Sequence, residues 1–112
     1  MADRKNLTRK QVEFLEGYFL DIVHSRPDFF ELSDEDAERV IGSSDFDDVE
    51  PAGPGKIATA KALRDRGLVE NLDIHESMAG TKHIYLEFTH AGAEIMLPLM
   101  RAAHRNGSLQ VS

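Results

Sequence analysis

The chain has 112 residues, a net charge of −7 and 41% apolar residues, which suits one compact core and not two. It has no cysteine, which excludes disulfides, thiolate-bound zinc, iron–sulfur clusters and thiol nucleophiles. No apolar run approaches the roughly 18 residues that a membrane span needs, and Met1-Ala2-Asp3-Arg4-Lys5-Asn6 opens no apolar signal segment. A cytoplasmic protein with no membrane contact is therefore expected.

The first helix is predicted over 8–25. Thr8 and Gln11 have capping-box spacing, and Leu7 and Val12 are placed for a hydrophobic staple. Val12, Leu15, Phe19, Ile22 and Val23 follow at helical spacing, with Phe14 and Tyr18 beside them. Gly17 is unfavourable inside this helix by about 1 kcal/mol relative to Ala, and Pro27 ends it. Phe29 and Phe30 are expected to plug the core from the connection.

Ser33 caps a second helix over 33–42, whose first turn carries Asp34, Glu35 and Asp36 where the helix dipole favours acids. Leu32, Ala37, Val40 and Ile41 form its stripe, and Gly42 is placed to end it. An acidic loop is predicted over 43–53. Asp34, Glu35, Asp36, Glu38, Asp45, Asp47, Asp48 and Glu50 stand against Arg39 alone, so this one stretch carries the whole net charge.

The third helix is predicted over 55–66, with Pro54 at its start and Gly67 just past its end. Ile57, Ala60, Leu63 and Leu68 are its core candidates. Two alternating runs, with Leu72 and Ile74 on one arm and Ile84, Leu86 and Phe88 on the other, flank Met78-Ala79-Gly80-Thr81-Lys82 and predict a β-hairpin over 69–88. Thr89 caps a last helix over 89–105, in which Pro98 predicts a kink or break. The core is expected to join Val12, Leu15 and Phe19 to Ile57, Leu63, Leu68, Leu86 and Phe88.

This order defines a mostly helical α+β chain, one winged-helix domain over 1–112. The segment Ala60-Lys61-Ala62-Leu63-Arg64-Asp65-Arg66-Gly67-Leu68-Val69-Glu70 resembles the end of the recognition helix and the first wing strand of MarR-type regulators. Leu86-Glu87-Phe88-Thr89-His90-Ala91-Gly92 is similar to that family's second wing strand and its Leu-Thr-x-x-Gly helix start. The resemblance spans about residues 54–100. It implies a winged helix-turn-helix that binds double-stranded DNA and regulates transcription, without catalysis and without a cofactor.

Lys56, Lys61, Arg64, Arg66 and Lys82 are the candidate DNA contacts, as cations that neutralise phosphates. Departures from the family pattern set the expected specificity. About a dozen residues replace the usual turn of 3–4. Ala58 and Ala62 offer no fork for base edges, so little sequence preference is expected. The wing tip holds one base, Lys82, instead of a basic cluster, and a single C-terminal helix replaces a dimerisation pair.

A homodimer is still expected. Phe14, Tyr18 and Phe19 on the first helix and Ile95, Leu99 and Met100 on the last exceed what a small core covers, which makes them the candidate interface. An alternative function is a winged helix serving as a protein-interaction module through the acidic 34–50 segment, with no DNA binding. The discriminating feature is whether the acids cover the third helix or face away from it.

Other chemistry has little support. His75 and His83 fall on opposite hairpin arms, and with Glu76 or Glu87 they would make a poor metal set, so no metal is expected. His24, His90 and His104 lie apart from them in sequence. Asp45, Asp47 and Asp48 lack the spacing of a calcium loop. Gly53-Pro54-Gly55-Lys56 falls short of the Gly-x-x-x-x-Gly-Lys-Ser/Thr phosphate loop. No nucleophile elbow is present.

Overall fold

A computed structural model describes residues 7–47 and 51–109. The elements run α1 (Arg9–Glu16), α2 (Phe19–Ser25), a 3₁₀ turn (Phe29–Glu31), α3 (Asp34–Ser43), β1 (Asp45–Asp47), α4 (Pro54–Asp65), β2 (Val69–Glu76), β3 (Lys82–Phe88) and α5 (His90–Arg105). The chain is α+β, with an antiparallel sheet in the order β1-β3-β2.

The capping box forms as predicted: Thr8 Oγ1 accepts from the Gln11 amide, and the Thr8 amide donates back to Gln11 Oε1. The predicted 8–25 helix is instead two helices, parted at Gly17 and Tyr18. There the Gly17 amide is shared between the Glu13 and Phe14 carbonyls, and Tyr18 bonds back three residues to Leu15. The break sets the phase of each half separately. Gln11, Phe14 and Leu15 are buried from α1, and Phe19, Ile22 and Val23 from α2. Val12 is only half-buried and Tyr18 takes a core position in its stead.

Ser33 caps α3 through a bond from the Asp36 amide to its hydroxyl. Gly42 does not end the helix; it lies inside α3, and Ser44 is the cap. Pro98 does not break α5, which continues to Arg105. Phe29 is buried as predicted, while Phe30 is half-buried and stacks flat on the His104 ring at 4.0 Å.

The larger correction falls in the predicted 43–53 loop. Asp45, Phe46 and Asp47 form a strand that pairs with Glu87, Leu86 and Tyr85, so the hairpin becomes a three-stranded sheet. Phe46 is buried, with its ring 4.9 Å from Tyr18 and 5.5 Å from Phe88. Asp48 and Glu50 lie outside the described residues.

The sheet has one apolar face. Phe46, Val69, Ile84, Leu86 and Phe88 are buried there with Leu15, Phe19, Leu63, Leu68 and Met100. Ile57 packs at the edge of this cluster, half-buried. The core also absorbs most of the predicted dimer surface: Phe14, Tyr18, Phe19, Ile95 and Met100 are buried within one copy, and Leu99 is half-buried. The apolar surplus that pointed to an interface through these residues is therefore spent inside the domain. Among the described residues, Leu20 and Met78 are the large apolar side chains left exposed.

Candidate nucleic-acid interface

α4 is fixed at its C-terminal end by a turn and by a second helix start that meets it. Gly67 has φ +79°, a left-handed conformation open to glycine at no steric cost. Its amide bonds the Arg64 carbonyl at 2.9 Å, and the Leu68 amide bonds the Leu63 carbonyl at 3.0 Å. This is the paired-bond Schellman ending, and it carries the chain directly into β2. Leu63 and Leu68 are both buried behind it.

The start of α5 closes on the same turn. Thr89 Oγ1 donates to the Gly67 carbonyl at 2.6 Å and accepts from the Gly92 amide at 3.0 Å. The Thr89 amide donates to the Leu68 carbonyl at 3.1 Å. Gly92 is buried so closely against this turn that a Cβ would stand 2.1 Å from the Leu68 carbonyl oxygen. The two segments that carry the sequence resemblance are thus a single contact in space.

The N-terminal end of α4 is held differently. Gly53, its cap, makes no side-chain bond, and Pro54 supplies the first turn. The Ala52 amide reaches the Lys82 carbonyl, anchoring the approach to α4 against the beginning of β3. Beside it, a cleft of about 370 Å³ opens between α1 and the first turn of α4, lined by Lys10, Glu13, Phe14, Tyr18, Lys56 and Thr59.

The five predicted basic residues do not form one continuous face. Lys61 and Arg64 are exposed and three residues apart, so they share a flank of α4. Arg64 also lies 3.6 Å from Asp65. Arg66 is exposed at the C-terminal cap, on the other flank by helical phase. Lys56 is half-buried in the cleft at the far end, about 15 Å from Arg66 along the helix axis. Lys82 is exposed at the base of the hairpin turn, opposite Glu76. Sequence reasoning missed Lys10 as a neighbour of Lys56, because only the folding of α1 onto α4 brings them to one cleft. Arg4 and Lys5 lie outside the described residues.

The acids are distributed by the fold and not by their order in the chain. Glu35 and Asp36 answer Arg39 at 3.0 and 3.2 Å, and Asp34 pairs with Arg101 of α5. Asp45 instead joins a row across the sheet, directly opposite Glu87, which is itself opposite Glu70. In the next row Asp73 faces Tyr85. These side chains occupy the sheet face opposite to Ile84, Leu86 and Phe88, because neighbours along a strand alternate. The core-facing helices, α4 among them, are on the other side.

Tyr85 sits at the centre of that acidic face. Its hydroxyl donates to Glu87 Oε2 at 2.7 Å and lies 3.4 Å from Asp45 Oδ2. The bond to Glu87 and the surrounding negative charge resist a phenolate, and its pKa is pushed up to about 12. Nearby, His75 and His83 are cross-strand partners. His75 Nδ1 is 3.6 Å from Asp73, and His83 Nε2 is 3.1 Å from the Thr81 hydroxyl. Among the described residues, no three His, Asp or Glu side chains gather as a metal set. No described helix is long and apolar enough to cross a membrane.

Comparison with known proteins gave no match to a family model, to a curated protein or to a solved structure.

Proposed function

We propose that this chain is a winged-helix domain that associates with double-stranded DNA through α4, as a non-enzymatic regulator of transcription. Lys61 and Arg64 contact phosphates from the exposed flank of α4, and Lys82 adds one from the base of the wing. The observation that carries this reading is the separation of charge. The sheet turns Asp45, Glu70, Asp73 and Glu87 to the face away from α4, and Asp34, Glu35 and Asp36 are engaged by Arg101 and Arg39, so these acids do not cover the helix. The rigid seat of α4 supports it further, since a helix pinned at Gly67, Thr89 and Gly92 can be offered to a major groove without reordering.

Recognition of base sequence is weak on this reading. The outward ridge of α4 holds Ala58, Lys61 and Asp65, which gives one cation, one acid and a methyl group. Affinity is carried by phosphate neutralisation and falls with salt. The test is binding to random duplex DNA across a salt series. Lys61→Ala with Arg64→Ala should weaken all duplexes by similar factors and flatten the slope of log affinity against log salt by about two units. Binding that is undetectable at low salt, or that survives the double substitution intact, removes α4 as a DNA element.

A further inference from the structure

The edge of the sheet carries a second, independent surface. β2 is an edge strand of eight residues, and no described strand lies on its far side. Only Val69 of β2 is buried; the other seven positions are half-buried or exposed. An edge strand presents outward amide and carbonyl groups to any chain that can lie beside it. The pairing of β2 with β3 is irregular between Glu70 and Asp73, where Asn71 has φ +52°, and regular from Asp73 to Glu76.

Charge selects what can lie there. The row Asp45–Glu87–Glu70 ends at this edge, and Asp73 starts the next row inward. No strand position on this face carries Lys or Arg. Like charges directly opposite one another in a sheet are unfavourable and opposite charges favourable. A second copy pairing β2 to β2 would bring acidic strands together, which is disfavoured. A strand with Lys or Arg at alternate positions would extend the row with the missing sign. Its other positions would fall beside Leu72, which packs at the core margin, and the half-buried Ile74.

We propose that the β2 edge is a docking site for an extended basic segment of a partner protein, which adds to the sheet as a fourth strand. Backbone bonds to Asp73–Glu76 supply the pairing, and alternate Lys or Arg side chains meet Asp73 and Glu70 on the acidic face. This is strand addition, with register set by the backbone and partner choice set by charge. It uses the sheet face turned away from α4 and does not depend on DNA binding.

The test uses the full chain and a synthetic peptide of alternating Lys and Val. Saturable binding is expected, with amide shift changes concentrated in Val69–Glu76. Methylation of alternate peptide amides keeps the charge but removes the donors, and it should abolish binding. Glu70→Gln with Asp73→Asn should weaken the unmodified peptide about fivefold, with a thermal melt confirming that the variant is folded. Three results overturn the proposal: a methylated peptide that binds equally well, shift changes that fall on Asp34–Asp36 of α3, or no saturable binding at low salt.

Discussion

The junction at Gly67 and the strand at Phe46 both hold the sheet against the helices, yet they come from opposite kinds of sequence. The junction is built from residues whose chemistry is local. Gly67 permits a left-handed turn, Thr89 caps the helix that starts beside it, and Gly92 leaves room for the Leu68 carbonyl. β1 is built from three residues inside an acidic stretch and exists only because β3 is there to pair with it. Local signals can be read from sequence before any contact is known. A strand this short has a meaning only in three dimensions.

The largest expected effect tests the second region. Phe46 is buried among Tyr18 and Phe88. Phe46→Ala should cost about 3–5 kcal/mol, the range for truncating a buried aromatic. Denaturant unfolding followed by circular dichroism measures it. A cost under about 0.5 kcal/mol, typical of a surface position, would return Asp45–Asp47 to the status of an acidic loop and leave the junction alone as the anchor.

The junction is tested by the smallest possible addition. Gly92→Ala places a methyl 2.1 Å from the Leu68 carbonyl oxygen, and backbone cannot swing away as a flexible side chain would. The expected cost is about 3 kcal/mol, at the upper end of ordinary overpacking. In a chain of this size that lowers the melting temperature by roughly 10 °C. An unchanged melt would mean that α5 does not start against the Gly67 turn, and α4 would lose its fixed seat.

Much of the fold was legible for the same reason that the junction was. Caps at Thr8, Ser33 and Thr89, the Gly67 ending and the alternation of Ile84, Leu86 and Phe88 are local patterns, and each stands where the sequence puts it. Three misreadings arose from tertiary context. Gly17 parts α1 from α2, and each half buries its own apolar residues in its own phase. Tyr18 read as surplus because the third strand, whose Phe46 packs on it, was not visible. The Asp-Phe-Asp alternation at 45–47 was a signal, but three residues are too few to separate a strand from a loop. The candidate interface was legible as a set of bases around α4. Their separation into a shared flank, a helix end and a cleft followed only from the fold.

The smallest effect sharpens the placement of β1 without perturbing the core. Tyr85 is held neutral by Glu87 first, and Asp45 contributes less, across the β1–β3 pairing. Its pKa near 12 against an ordinary 10 means that the folded state retains the phenol proton longer than the unfolded chain does. Any resulting stabilisation is complete below pH 10 and disappears as pH rises through 12. The phenolate absorbance of the folded protein, with Tyr85→Phe subtracted to isolate this ring from Tyr18, should therefore show a midpoint near 12. Glu87→Gln should bring it back toward 10. Asp45→Asn should lower it by less, and that smaller step is the decisive one. Glu87 lies on the same strand as Tyr85 and would act on it in a bare hairpin, whereas Asp45 reaches the ring only if β1 is paired in the register described. A titration that responds to Glu87→Gln and ignores Asp45→Asn would leave the hairpin intact and detach β1 from it.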